Sequence, residues 1–397
     1  MISTDKKHIT DLLTRGVEDL FVKEHLETAL LSGKQLRVKF GIDPTGPKLH
    51  LGRAVGLRKL KAFQDLGHQV VIIVGDFTAQ IGDASDKTEK RPMLSREMVN
   101  ENFKDYKEQI SKILDISKVE FVYNSDWLDK LGFQEITQLA ECFSVQQMSA
   151  RRNFKDRLER GDEISLREFL YPLMQGYDSV AIKADVEIGG FDQLFNLKAG
   201  RVIQKHFDMP EQDVLTVQML EGTDGRKMST SWGNIVTIVD EPSDMYGKIM
   251  ALRDELIVKY FTLCTDVSTE EIEIITKELE TGTNPRDVKM RLAREIVKMY
   301  HSEELAIHAE QDFISKFQKK EIPDELEKIS ISEGSTLVEV LLEKGMIDSK
   351  TAWRRLVEDG AVTNLETKEK ITDIDFVPQG KTLIKIGKKI FIECIID

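Results

Sequence analysis

Apolar residues fall along this chain in two rhythms. Residues 36–42 (LRVKFGI) and 69–75 (QVVIIVG) are short runs rich in β-branched residues. Both read as strands, and the second, an uninterrupted apolar run, fits a strand buried on both faces of a sheet. Between them Leu51, Val55, Phe63 and Leu66 recur at helical spacing, and Gly67 ends the pattern. Strand, helix, strand at this spacing predicts a right-handed βαβ unit of a parallel sheet.

Residues 97–114 are charged and helical in pattern, and 118–123 (KVEFVY) reads as a strand. From 127 to 169 the pattern is helical and polar, as in an insertion that leaves the sheet. Further strands are expected at 179–188 and 213–219. From 241 to 328 no strand pattern survives; charged helices dominate, punctuated by Pro242 and Pro285. A linker is expected at 328–334. Helices at 336–344 and 349–359 then precede short strands at 361–364, 381–386 and 389–395.

The expected fold is α/β. A Rossmann-like, doubly wound parallel sheet occupies 1–222, with a helical insertion at about 125–165. An all-helical domain follows at 223–330, and a small α+β domain at 334–397.

Composition narrows the class. The chain has 397 residues, 41% hydrophobic and 31% charged, which fits a soluble protein of two or three domains. No apolar run approaches the roughly 20 residues of a membrane span. The polar start lacks a signal-peptide core, so a cytoplasmic protein without membrane contact is expected. Cys142, Cys264 and Cys394 are scattered and form no CxxC pair, so neither a zinc site nor a disulfide framework is expected. The net charge of −13 opposes binding nucleic acid by global charge and leaves only a local basic patch for phosphate contacts.

Two motifs carry candidate chemistry. His50-Leu51-Gly52-Arg53 sits where the first strand has ended and the helix begins. Unpaired backbone N–H groups and the helix dipole favour phosphate there. Gly52 lets a nucleotide approach the backbone, and His50 and Arg53, three apart, share one side of the first turn. Gly225-Arg226-Lys227-Met228-Ser229-Thr230-Ser231 reads as a loop after the last strand. Such a loop can bring Lys227 onto a phosphoryl group in the transition state. Taken singly, each motif equally fits an ordinary helix start or a solvated loop. Tyr171, Gln175 and Asp178, spaced by four and three, lie on one face of a helix, which by itself also fits a polar helix edge.

The pair of motifs resembles the HIGH and KMSKS signatures of class I aminoacyl-tRNA synthetases. The segments GIDPTGPKLHLG, GDFTAQIGD, NSDWL, FLYPLMQGYDSVAIKADVEIGGFDQLFN and EGTDGRKMS resemble, in sequence and order, tyrosyl-tRNA synthetases. The resemblance runs from about residue 30 to the C-terminus and is densest between 36 and 235. It implies tyrosine activation with Mg²⁺-ATP, then transfer to tRNA, by a homodimer with an interface in the insertion. It implies catalytic roles for His50, Arg53, Lys227, Ser229 and Thr230, and ATP contacts from Asp43, His50, Gly52, Asp192, Lys227 and Met228. Tyrosine would be held by Lys39, Thr78, Asp83, Tyr171, Gln175, Asp178 and Gln193. No resident metal ligand is implied. The tail resembles a small RNA-binding fold of a small-subunit ribosomal protein, with Arg354, Arg355, Lys381, Lys385, Lys388 and Lys389 as its phosphate-facing patch.

Three residues depart from the family pattern. Arg53 replaces a histidine, Thr230 replaces a second lysine, and Lys39 stands where many members carry a tyrosine. Two alternatives therefore stay open: a paralogue that binds RNA without charging it, and a synthetase for another aromatic amino acid.

Overall fold

The computed structural model describes residues 2–83, 94–228, 232–315, 326–332, 334–367, 369–378, 380–387 and 390–396. Residues 1–312 and 313–397 form two compact units.

The first unit is built on a six-stranded sheet. Its strands are β1 (Val17–Phe21), β2 (Arg37–Ile42), β3 (Gln69–Val74), β4 (Val119–Tyr123), β5 (Val186–Gly190) and β6 (Asp213–Val217). Their order is β1-β6-β5-β2-β3-β4. All pairings from β6 to β4 are parallel, and β1 closes the edge antiparallel to β6. From β2 the chain winds outward through β3 and β4, then returns to β5 and β6 on the other side. The winding reverses between β2 and β5, and in such sheets the crevice beyond the strand ends at the reversal is where ligands bind.

Burial explains the two rhythms. Val70 to Val74 are at most 1% exposed, so β3 has no solvent face to be polar. The helix Leu51–Asp65 buries Leu51, Val55, Leu57, Leu60 and Phe63. Gly56 lets this helix lie against the sheet, because a Cβ there would sit 2.7 Å from the Phe40 ring. The helices Leu166–Ala181 and Leu194–His206 approach equally closely at Gly176, where a Cβ would meet Ile203 at 2.6 Å. The helices Pro242–Met250, Ile257–Cys264 and Pro285–Tyr300 bury Tyr246, Ile249, Tyr260, Phe261, Leu292 and Ile296 within the same unit. Pro242 and Pro285 each open a helix, where the missing N–H is harmless.

The second unit carries a four-stranded sheet, β7 (Glu327–Ile331), β8 (Val362–Asn364), β9 (Thr382–Ile386) and β10 (Ile390–Ile396), in the order β7-β10-β9-β8. The helices Leu337–Glu343 and Lys350–Glu358 contribute Leu337, Leu341 and Trp353 to its core. The indole N–H of Trp353 donates to the Ile374 carbonyl at 2.8 Å.

Two expectations need correction, and one strand has no counterpart in the pattern. The segment 179–188 is not one strand: the helix runs on to Ala181, Lys183 turns the chain with a positive φ, and β5 begins at Val186. Its β-branched run satisfies both periods, so pattern alone could not place the break. Residues 328–334 are not simply a linker. Ile329 and Ile331 are buried while their neighbours are exposed, and β7 pairs parallel with β10. The strand β1 went unread because its sequence, VEDLF, carries two acidic residues at a sheet edge. Among the described residues no helix is long and apolar enough to cross a membrane.

Candidate active site

The reversal point opens into a cavity of about 860 Å³ lined by groups from β2, β5 and the segments that follow each strand. His50 and Lys227, 177 positions apart in the chain, both line it. Their approach has a backbone cause: Leu51 N–H donates to the Val236 carbonyl at 2.9 Å, and Ile238 N–H to that of Leu49 at 3.0 Å. The chain that leaves the lysine loop is thereby stitched to the start of the helix Leu51–Asp65.

One end of the cavity is a closed polar network. Asp178 accepts from the Trp127 indole at 2.8 Å and lies 3.4 Å from Asn124 Nδ2. Asn124 donates to Thr78 Oγ1 at 3.0 Å, which donates to Asp43 at 2.8 Å. The other Asp43 oxygen accepts from the Tyr171 hydroxyl at 2.7 Å. Gly75 makes this possible, since a Cβ there would fall 2.0 Å from Asp43 Oδ1. Burial pushes the Asp178 carboxyl up to about 7, against the opposing pull of Lys39. Burial, with Asp43 and Asp83 nearby, drives the Tyr171 phenol well above its ordinary range.

Beside this network Asp83 accepts from Gln193 Nε2 at 2.6 Å and lies 3.4 Å from Asn196 Nδ2. Asn196 also donates to Gln193 Oε1 at 2.9 Å and accepts from Arg151 at 3.2 Å. The Arg151 guanidinium lies between the rings of Phe154 and Phe195, at 4.8 and 4.7 Å.

The other end is open and cationic. His50 caps the helix Leu51–Asp65, and burial, then the neighbouring Arg53, lowers its imidazole to about 4, so it is neutral near pH 7. Its Nδ1 is buried and makes no hydrogen bond among the described residues. Gly52 keeps space beside it: a Cβ would lie 3.1 Å from the imidazole and 3.4 Å from Met228 Sδ. Arg53 donates to Thr45 Oγ1 at 2.7 Å and to the Tyr106 hydroxyl at 2.9 Å, and Tyr106 donates to the Gly46 carbonyl at 2.5 Å. Asn102 and Gln109 add donors to the carbonyls of Pro44 and Pro47, so three side chains from two successive helices brace the turn after β2. The exposed Lys227 ammonium lies 3.5 Å from Asp192. Its loop is held at the base by Asp224, which accepts from Asn234 and from the Arg226 backbone at 2.8 and 3.0 Å. Those bonds hold the Asp224 carboxyl well below the usual range.

The cavity thus gathers Asp43, His50, Gly52, Arg53, Thr78, Asp83, Tyr171, Gln175, Asp178, Asp192, Gln193, Lys227 and Met228. Ser229 and Thr230 lie outside the described residues. Lys39 does not line the cavity; it is fully buried behind it and pairs with Glu187 at 2.9 Å. Asn124, Trp127 and Asn196 had not been assigned to the site. NSDWL after β4 was a visible signal for the first two, since residues following parallel strands face the crevice.

In the second unit Arg354 and Arg355 are exposed on the helix Lys350–Glu358. Lys381 pairs with Glu393, and the Lys385 ammonium lies 5.3 Å from the centre of the Phe391 ring. Lys388 and Lys389 lie outside the described residues.

A doubly wound sheet whose switch-point cavity carries a helix-start histidine under a lysine loop is the architecture of one synthetase class. The chain belongs to the class I tRNA synthetases (W and Y), whose family model matches residues 31–318. Within that class its relatives are tyrosine enzymes. It is 48% identical to the tyrosine–tRNA ligase of Thermotoga maritima, over 96% of this chain and 95% of that one. It is 46% identical to that of Carboxydothermus hydrogenoformans, over 98% of each. Its fold is similar to a tyrosyl-tRNA synthetase of Archaeoglobus fulgidus solved with L-tyrosine, with a TM-score of 0.62 and 19% identity over 77% of this chain and 100% of that one.

Proposed function

We propose that this chain is a tyrosine–tRNA ligase. It activates tyrosine with Mg²⁺-ATP to tyrosyl-adenylate, releasing pyrophosphate, and passes the tyrosyl group to the terminal ribose of its tRNA. One observation carries the reading: a single cavity holds the acceptor-lined pocket around Asp178 and the phosphate-directed pair His50 and Lys227.

In the first step the tyrosine carboxylate attacks the α-phosphorus and the pyrophosphate oxygen leaves. In the second the ribose hydroxyl attacks the acyl carbon and the adenylate leaves. Neither step needs a covalent enzyme intermediate, so the residues act by position and charge. Asp178 and the Trp127 indole beside it define the phenol end, while Tyr171, Gln175 and Asp83 offer oxygens to the ammonium. Thr78 braces Asp43 and reaches the substrate through it, and Gln193 stands at the carboxylate. At the other end neutral His50 donates an N–H to phosphate, and Arg53 and Lys227 supply positive charge. Asp43 and Asp192 face the adenylate and its ribose, with Gly52 and Met228 shaping the nucleotide's path. Ser229 and Thr230 complete the lysine motif in the sequence. Magnesium arrives with ATP and neutralises pyrophosphate oxygens.

The expected domains divide the labour: the catalytic sheet domain in 1–222, the lysine loop that completes its site together with a helical tRNA-gripping region in 223–330, and further RNA contacts in 334–397 from Arg354, Arg355, Lys381, Lys385, Lys388 and Lys389. The working form is a cytoplasmic homodimer. Phe133, Val145, Leu158 and Leu166 are 82, 73, 52 and 75% exposed in and beside the 125–165 insertion, which supports an interface there.

The test is exchange of labelled pyrophosphate into ATP with tyrosine, tryptophan or phenylalanine. Exchange with tyrosine alone, followed by charging of tRNA, is expected. RNA binding without exchange for any amino acid would instead identify a non-charging paralogue, and exchange with another aromatic acid a different synthetase.

A further inference from the structure

Behind the cavity wall lies a charged pair that the reaction does not touch. Lys39 on β2 and Glu187 on β5 are both 0% exposed, 2.9 Å apart. An ammonium has three N–H donors. Those of Lys39 meet the backbone carbonyl of Gln175 at 2.7 Å, Ser179 Oγ at 2.8 Å and Glu187, so none remains for a substrate. Glu187 in turn accepts from Gln175 Nε2 at 3.1 Å, from Ser179 Oγ at 3.3 Å and from Gln212 Nε2 at 2.5 Å.

The contact to Gln175 has a chemical consequence. A glutamine carboxamide can point either its oxygen or its NH₂ at a neighbour. A carboxylate accepts only, so the Gln175 NH₂ must face Glu187. The carboxamide oxygen is then the end left over, on a side chain that lines the cavity. Tyr171 is committed in the same sense: its hydroxyl donates to Asp43 at 2.7 Å, which leaves its lone pairs for a donor. Both side chains are set to accept, and the group of an amino acid that only donates is its ammonium. Taking Glu187 out of water is tolerable because Lys39 compensates its charge and every hydrogen-bonding position on the pair is occupied.

Resting on the tyrosine-pocket reading, we propose that the buried Lys39–Glu187 pair is a positioning device that locks the Gln175 carboxamide with its oxygen toward the substrate ammonium. Lys39 and Glu187 are positioning residues acting through Gln175; neither contacts the amino acid. Glu187 is therefore a specificity element for α-amino acids as against their des-amino counterparts.

The test uses calorimetric binding of L-tyrosine and of desaminotyrosine, which keeps the phenol and carboxylate and lacks the ammonium. The full-length enzyme is compared with the double variant Lys39→Met, Glu187→Met, which removes both charges at similar volume. The Kd for tyrosine should rise about tenfold or more while that for desaminotyrosine moves less than about threefold, a gap of the size one charge-assisted hydrogen bond supplies. If the double-methionine protein shows no cooperative thermal unfolding, Lys39→Met, Glu187→Gln replaces it; its neutral amide no longer dictates the Gln175 orientation, and the preference for tyrosine should fall about threefold or more. An unchanged preference, or equal losses for both ligands, overturns the positioning role. Unmodified enzyme that fails to bind tyrosine, or that binds desaminotyrosine equally well, overturns the pocket reading itself and the proposal with it.

Discussion

The two ends of the cavity are built on opposite plans. At the Asp178 end nearly every polar atom already has a protein partner: Trp127, Asn124, Thr78, Asp43 and Tyr171 form one chain of hydrogen bonds, most of it buried. At the Lys227 end the ammonium is exposed, and the contact to Asp192 spans 3.5 Å. A prearranged network discriminates between ligands, because a wrong one leaves buried groups unpaired. An exposed charge on a loop contributes little to ground-state binding and can act when negative charge builds in the transition state. On the proposed function, the comparison separates recognition from rate within one cavity.

The largest expected effect falls at the recognition end. Asp178→Ala orphans the Trp127 indole and leaves the Asn124 amide with Thr78 alone, and discrimination between tyrosine and phenylalanine, on the order of 10⁴–10⁵ in sites of this kind, should drop about 10³-fold. Competing exchange assays with the two amino acids measure it. Retained discrimination would move recognition to another group and break the contrast.

Next, Lys227→Ala should slow adenylate formation about 10²–10³-fold while the Kd for tyrosine stays within about twofold. Stopped-flow activation and equilibrium binding separate the two quantities. Parallel losses in both would make Lys227 a binding residue and erase the division.

The smallest effect is the pH dependence of tyrosine binding. Of the charged groups acting on Asp178, Lys39 favours its ionised form and Glu187 opposes it. With Asp178 titrating near 7, the carboxylate fraction, and with it affinity, should fall up to about tenfold from pH 8 to pH 6. Asp178→Asn should flatten that profile. The same carboxyl binds its proton more tightly folded than unfolded. It therefore stabilises the fold fully only below about pH 4, and that contribution is lost as pH rises through 7. Binding and stability should thus respond to pH in opposite senses.

Much of this architecture was written in local pattern. The β2 segment, the apolar run of β3, the intervening helix and the Gly-rich turns announce the βαβ unit; β3 is buried on both faces and so has no polar positions from Val70 to Val74, whereas β2 carries Lys39 into the core. The spacing of Tyr171, Gln175 and Asp178 puts all three in the cavity because helical periodicity is local. The hidden strand β7 shows the limit: two isoleucines alternating with polar residues become a strand only when β10 lies alongside.

Lys39 shows the same limit within the site. Its identity and its place on β2 are sequence facts, and a lysine beside a substrate pocket invites the reading of a ligand-binding cation. Which way its ammonium points depends on β5 lying next to β2, 148 positions later in the chain, with Glu187 facing it. Likewise the meeting of His50 with Lys227 depends on the bonds between residues 49–51 and 236–238. Periodicity and turn chemistry act between near neighbours and can be read in order. The pairing of buried charges and the closing of a cavity join distant segments, and only the packed chain decides them.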